Sequence, residues 1–398
     1  MTRIVLKKQI DIRFEAILLA LYFAIIPLEN VLAASFGGSI NKYIGLIIMF
    51  FVIVRHLRSG KINIANYLAL LCFLAFALAS YIWSIGANNS YLSILLNMTL
   101  CTLIFIQVPL RKQEIDFISY CIAIAGAFLA ILMLTGSQAT NINNISGGRM
   151  TLVFGGLMID NNNLAVSISI CAVFAFHYFS VSKHKIHKVF WIVLFLLITI
   201  AVFFTGSRGG LLAEIGGLII YIWKNGNGIR LKTVLLGGVV ILIFGFIVQN
   251  VLTIGLTQRF SVSDVIESGG TGRVKIWLDA LISYRNSNIF RQLFGYGFGT
   301  FGESQRMLSY HYTASHNDFV GVLIELGLIG LILYIVVWFK FFKKAIIEKN
   351  WLALSLLMVV LIGSLSLEMI IKKMLWLVWY FVLVKQLTAD KTIDTNCQ

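Results

Sequence analysis

Two arginines in this chain share one local setting. Arg208 stands in TGSRGG and Arg273 in SGGTGRVK, each beside glycines where a helix is predicted to begin. Glycine admits close approach of backbone N–H groups, a helix start carries positive dipole, and a guanidinium offers a planar fork of donors suited to phosphate. Two such sites could grip the two phosphates of a diphosphate. The plainer reading is a tight hairpin capped by Arg208, with Arg273 meeting lipid phosphate without selectivity. His316, in TASHNDFVGVLIELGLIG, adds weight to the first, because it sits at the mouth of a long apolar run. Imidazole takes up a proton near neutral pH, so it can act as general base toward a hydroxyl that must become a nucleophile. Taken alone, His316 is as well explained as the neighbour of a helix cap made by Asn317 or Asp318.

Other polar residues are weaker candidates. Glu325 lies nine positions beyond His316, about 13.5 Å of helical rise and half a turn away, so the two cannot touch on one straight helix. As an ionisable residue in an apolar run it must pair with another span or face a polar cavity. Asp160 and Asn162, in MIDNNNLA, read as a helix cap with hydrogen-bonding capacity to spare. Tyr310 and Tyr312, with Phe298 and Phe301, form an aromatic, glycine-rich tract before His316; such rings stack on sugars or anchor helices at a membrane interface. No P-loop, HExxH or CxxC occurs, and no GxGxxG follows a strand. No Asp-x-Asp pair falls on the side of the arginines, so no metal is expected and the guanidiniums would neutralise a leaving group unaided.

The elements that must position these residues are membrane helices. Of 398 residues, 59% are hydrophobic and 12% charged, against roughly a quarter charged in an average soluble domain. Apolar stretches recur at the length needed to cross about 30 Å of hydrocarbon. Twelve spans are predicted, near 14–34, 41–55, 65–83, 92–109, 116–135, 163–181, 189–205, 209–223, 233–254, 318–338, 351–368 and 370–386. The first exceeds the usual signal-peptide core and is read as a retained span. Lys and Arg concentrate in the loops on the side of both termini, which sets the termini in the cytoplasm. The net charge of +15 is explained by those loops, and nucleic acid is discounted as a partner. Five cysteines form no disulfide or metal pattern. Residues 1–254 thus hold spans one to nine, 255–317 a long external loop, and 318–398 the last three spans and a tail. Within the loop, Ile276, Trp277, Ala280, Leu281 and Tyr284 recur at helical spacing on one face, as expected of a helix lying in the membrane interface.

The stretch SGGTGRVKIWLDALISYRNSNIFRQLFGYGFGTF, followed by SHNDFVGVLIELGLIG and preceded by TGSRGG, resembles the O-antigen ligase and Wzy-type polymerase superfamily of bacterial membrane glycosyltransferases. The likeness covers about residues 155–335. It implies an all-α, GT-C-like polytopic enzyme of the cytoplasmic (inner) membrane. Such an enzyme takes a glycan from an undecaprenyl diphosphate carrier on the external face and joins it to a glycan or lipid acceptor, without metal or cofactor. Arg208 and Arg273 match the arginines that engage the diphosphate, and His316 the histidine proposed as base. Asn317, Glu325 and Gly327 fit the motif that runs into the following helix. DNNNLA lacks the proline of the related Asn/Asp-Pro-Asn pattern. A polymerase, with a flippase and a chain-length regulator as companions, and a ligase acting on a finished glycan differ only in acceptor. A lipid-linked-sugar transporter would instead show midplane charges and broken helices in related halves; here the basic candidates cluster externally and only Pro27 and Pro109 are present.

Overall fold

The computed structural model describes residues 12–36, 39–59, 67–86, 89–139, 150–154, 157–225, 272–309 and 313–387. The predicted span 233–254, Tyr310 and Tyr312 lie outside them. Among the described residues five helices are long and apolar enough to cross a membrane. These are α1 (Phe14–Phe36, apolar to Ala33), α5 (Lys112–Gly136), α6 (Asn161–Val181), α7 (Lys185–Phe204) and α12 (Asp318–Ile347). Shorter helices complete the bundle: α2 (Ile40–Ser59), α3 (Leu68–Ala79), α4 (Asn89–Phe105), α8 (Arg208–Asn225), α13 (Trp351–Ser364) and α14 (Lys373–Leu383). The chain is a mostly helical, multi-pass membrane protein.

Helix α6 is the axis. It is apolar all round and almost every side chain from Leu164 to Ala175 is buried, as expected of a helix surrounded by others. Small residues let its neighbours approach. A Cβ on Gly126 of α5 would lie 2.1 Å from Cys171 Cβ, and one on Gly210 of α8 would lie 2.4 Å from Ala165 Cβ. Helix α7, by contrast, leaves Val189, Val193, Leu196 and Ile200 exposed along one stripe, the surface a bilayer would cover.

One end of the bundle is closed by charge and backbone. Arg13, just before α1, donates from Nε to Glu114 Oε1 at 2.7 Å and from Nη2 to the Pro109 carbonyl at 2.7 Å. Leu110 pairs with the segment after α14: its N–H donates to Lys385 O at 3.0 Å, and its carbonyl accepts from Leu387 N at 2.8 Å. The opposite end carries His316, Arg208, Arg273 and Asp160. There the stretch between the predicted spans 116–135 and 163–181 is not all loop. It forms an antiparallel sheet of β1 (Ser137–Ala139), β2 (Met150–Phe154) and β3 (Leu157–Met158), fixed to α6 by Asn161 Nδ2 donating to Thr151 Oγ1 at 3.0 Å.

The long loop before α12 holds, among the described residues, three helices, α9 (Arg273–Asn286), α10 (Ile289–Phe294) and α11 (Phe301–Ser309). It is stitched to a kink in α12. Gly327 takes φ 66° and ψ −169°, a conformation essentially reserved for glycine, and the helix breaks there. The Ile324 and Glu325 carbonyls next to the break accept from Tyr296 N at 3.1 Å and Gly297 N at 2.7 Å.

Two expectations are corrected. The last two spans do not abut at Met369: α13 ends at Ser364, α14 begins at Lys373, and residues 365–372 between them are not helical. On α9, the face predicted to lie on the membrane largely packs on protein, since Ala280 is buried with Ile276, Tyr284, Tyr296, Phe301 and Ile324. Val274, Leu278 and Ile282 form the exposed apolar stripe instead, joined by Leu281.

Candidate functional site

His316 lies between α11 and α12, and the residues on either side of it, Ser315, Asn317 and Asp318, are tied down. Asn317 caps α12, its Oδ1 accepting from Phe319 N at 2.9 Å and Val320 N at 3.1 Å, while its Nδ2 donates to Leu365 O at 3.3 Å. Asp318 accepts from Ile370 N at 3.1 Å and from the Tyr334 hydroxyl at 2.9 Å. On the other flank, Ser315 donates to Glu368 Oε1 from its backbone N at 2.6 Å and its hydroxyl at 2.9 Å. The Ser315 carbonyl accepts from Trp277 Nε1 at 2.9 Å. His316 itself has φ 47°, a left-handed conformation that costs a non-glycine residue roughly 1–3 kcal/mol and persists only where the surroundings over-determine it. The contacts of Ser315, Asn317 and Asp318 supply that constraint.

Arg273 opens α9 behind Gly272, whose φ of 77° turns the chain into the helix. The helix is held by its buried cluster and by Trp277, so the bond to Ser315 links Arg273's helix directly to His316's loop. Trp277, read from sequence as an interfacial anchor, is thus a strut within the site.

Arg208 opens α8 after a tight turn with Gly206 at φ 62°. The Ser207 hydroxyl accepts from Gly210 N at 3.2 Å and donates to Asn162 Oδ1 at 3.0 Å, joining this turn to the start of α6. The two glycines after Arg208 have a packing purpose. A Cβ on Gly209 would meet Ser366 Oγ at 2.7 Å, and Gly210 rests on Ala165. They make room for protein neighbours, not for a ligand's approach to the backbone. Asp160, two residues before Asn162, caps α6 by accepting from Asn163 N at 2.8 Å.

The electrostatic surroundings of His316 come from four residues: Arg273, Lys372, Glu368 and Asp160. Burial first, then the Arg273 guanidinium, hold its pKa below the ordinary histidine value; Glu368 and Asp160 oppose, and Lys372 adds to the lowering. The neutral ring, which can accept a proton, is therefore favoured at physiological pH. Asp160 and Lys372 also line a cavity of about 500 Å³ between the end of α1, the start of α6 and residues 369–374, which Glu29, Asn30, Asn163 and Lys373 share. Lys373 is ion-paired with Glu29.

Glu325 serves another element. Its carboxylate accepts from Phe301 N at 3.0 Å and caps α11. Tyr312 is outside the described residues. Sequence reasoning missed the hub on which the rest is seated, residues 365–372. It receives Ser315, Asn317 and Asp318 from the histidine loop and Gly209 from the helix of Arg208. The signal was present in SLSLEMIIKK, where a glutamate and two lysines interrupt the last apolar run.

Residues 192–335 match the family model for O-antigen ligase. The matched stretch contains Arg208, Arg273 and His316, and the apolar helices around it are those of a multi-pass membrane protein. A chain from work on the structural coordination of polymerization and crosslinking by a peptidoglycan synthase complex is similar over 81% of this chain and 97% of its own length, with 15% identity and a TM-score of 0.49. No curated protein gives a significant match.

Proposed function

We propose that this protein polymerises undecaprenyl-diphosphate-linked oligosaccharide repeat units into a surface polysaccharide on the external face of the bacterial inner membrane, with both termini in the cytoplasm. The observation that carries the reading is the setting of His316: a histidine with left-handed backbone pinned on both flanks, with Arg273 and Lys372 in its field and burial favouring the neutral ring. In the reaction, His316 removes the proton from the incoming sugar hydroxyl. The oxygen attacks the anomeric carbon, the bond to the diphosphate breaks, and the electron pair leaves with the phosphate oxygen. Arg208 and Arg273 neutralise the charge that develops there, the role in which preorganised donors are worth most. Attack opposite the departing group inverts the anomeric centre, and no covalent enzyme intermediate or metal is needed. Asn317 holds the loop in register, and Asp160 and Asn162 face the incoming sugar from α6.

The description of the matched family favours a second reading, a ligase that moves the finished glycan to lipid A-core or another acceptor. One assay separates them. Purified protein given only lipid-linked repeat units yields a ladder of lengths if it polymerises and no extension if it ligates. His316→Ala lowers turnover by about 10²–10⁴ if the imidazole is the base, with binding of the lipid diphosphate retained. Turnover at the wild-type rate in that variant would remove histidine from the mechanism.

A further inference from the structure

We propose that Glu368, in the hub between α13 and α14, is the positioning residue that holds the His316 loop in its reactive geometry. The inference rests on the reading of His316 as base.

Four carboxylates are near enough in sequence or space to be considered, and three are spent elsewhere. Glu325 caps α11 through Phe301 N. Asp318 has one oxygen on Ile370 N and the other on the Tyr334 hydroxyl. Asp160 caps α6 through Asn163 N. Glu368 alone engages the residue that immediately precedes His316, and it does so twice, at 2.6 Å to the Ser315 N–H and 2.9 Å to its hydroxyl. A charged acceptor makes these bonds roughly twice as strong as neutral ones. Ser315 is buried, and Gly321 leaves it room: a Cβ there would sit 2.9 Å from Ser315 Oγ. Because the Ser315 carbonyl also accepts from Trp277, this residue is a point at which the helix of Arg273, the loop of His316 and the hub meet. Releasing its N–H frees the loop to relax from the left-handed conformation at His316.

Glu368 also acts through its charge. The groups facing His316 are Arg273 from α9, Asp160 from the start of α6, and Lys372 and Glu368 from the hub. Of these, the two carboxylates favour the protonated ring. Removing the Glu368 charge while keeping an acceptor must therefore move the titration of His316 downward.

The test uses full-length protein in lipid nanodiscs, with lipid-linked repeat units purified from a strain lacking it, and reads kcat and KM across pH for wild type, Glu368→Ala, Glu368→Gln and His316→Ala. Glu368→Ala should lose on the order of 10²-fold in kcat, the scale of a small misplacement of a catalytic group, with KM unchanged. Glu368→Gln, which still offers an oxygen to Ser315, should recover most of the plateau rate but show its acid limb at lower pH than wild type. A purely structural role would reduce the yield of folded protein in both variants and leave the limb where it was. An unmoved limb in Glu368→Gln, or a wild-type kcat in Glu368→Ala, overturns the proposal while His316→Ala remains inactive. If His316→Ala turns over at the wild-type rate, the base assignment fails, and Glu368 falls with it. Should Glu368→Ala not fold, the limb in Glu368→Gln decides the matter alone.

Discussion

Alanine at Gly327 would place a Cβ 2.4 Å from both the carbonyl carbon and the oxygen of Leu293, and 2.6 Å from Phe294 N. These are backbone atoms, so no side chain can swing aside. The φ of 66° and ψ of −169° add conformational strain of about 1–3 kcal/mol for any residue but glycine. Relief requires α10 and α12 to separate, which breaks the bonds from Tyr296 N to Ile324 O and from Gly297 N to Glu325 O. Leaving each of those buried partners unsatisfied costs about 1–3 kcal/mol. Even at the low end, the total is about 3 kcal/mol. In thermal unfolding in detergent, Gly327→Ala should lower the apparent Tm by roughly 3–4 °C or more. Because Ile324 is part of the cluster that seats α9, transfer activity should fall as well. Gly86→Ala is the control, since its Cβ would meet nothing closer than Glu303 Cγ at 3.5 Å. A Gly327→Ala protein that melts with the wild type and transfers at the same rate would refute the kinked, zipped arrangement.

Two other perturbations follow from the geometry. Arg273→Gln removes the second largest cause that holds the His316 pKa down, so the acid limb of its kcat profile should move to higher pH, opposite in sign to Glu368→Gln; a common direction for both variants would contradict the charge arrangement. Glu114→Ala strips Arg13 of its carboxylate at the other end of the bundle and should destabilise the protein by about 3 kcal/mol in thermal melts without changing KM, and Arg13→Met in the same chain should recover part of the loss.

The helices of the bundle were legible because their apolar runs are long. Those predicted near 14–34, 163–181 and 189–205 appear as α1, α6 and α7. The break at 365–372 was not, because Ser366 bonds back to the Gly363 carbonyl, Glu368 finds its partner in distant Ser315, and the stretch is nearly as apolar on average as a span. The face of α9 was misread for a related reason: Ile276, Ala280 and Tyr284 and the stripe Val274, Leu278 and Ile282 are both apolar, and only the packing against Ile324 chooses between them. Helical spacing did exclude a contact between Glu325 and His316. It could not supply Phe301 N as the true partner, because the kink that brings them together depends on the backbone of Gly327. The residue types able to do chemistry were visible at once; the short segment that seats them was marked only by a glutamate and two lysines in an apolar run, and its partners lie far away in sequence.

The hub has a bearing on biogenesis, because it is translated after all of the residues it seats. When Arg208, Arg273 and His316 have left the ribosome, Glu368 and its neighbours have yet to be made, and the clip between Leu110 and residues 385–387 comes later still. A nascent chain halted before residue 365 would hold every reactive side chain yet lack the surface that aligns them, so transfer competence should arrive in a single late step of membrane insertion.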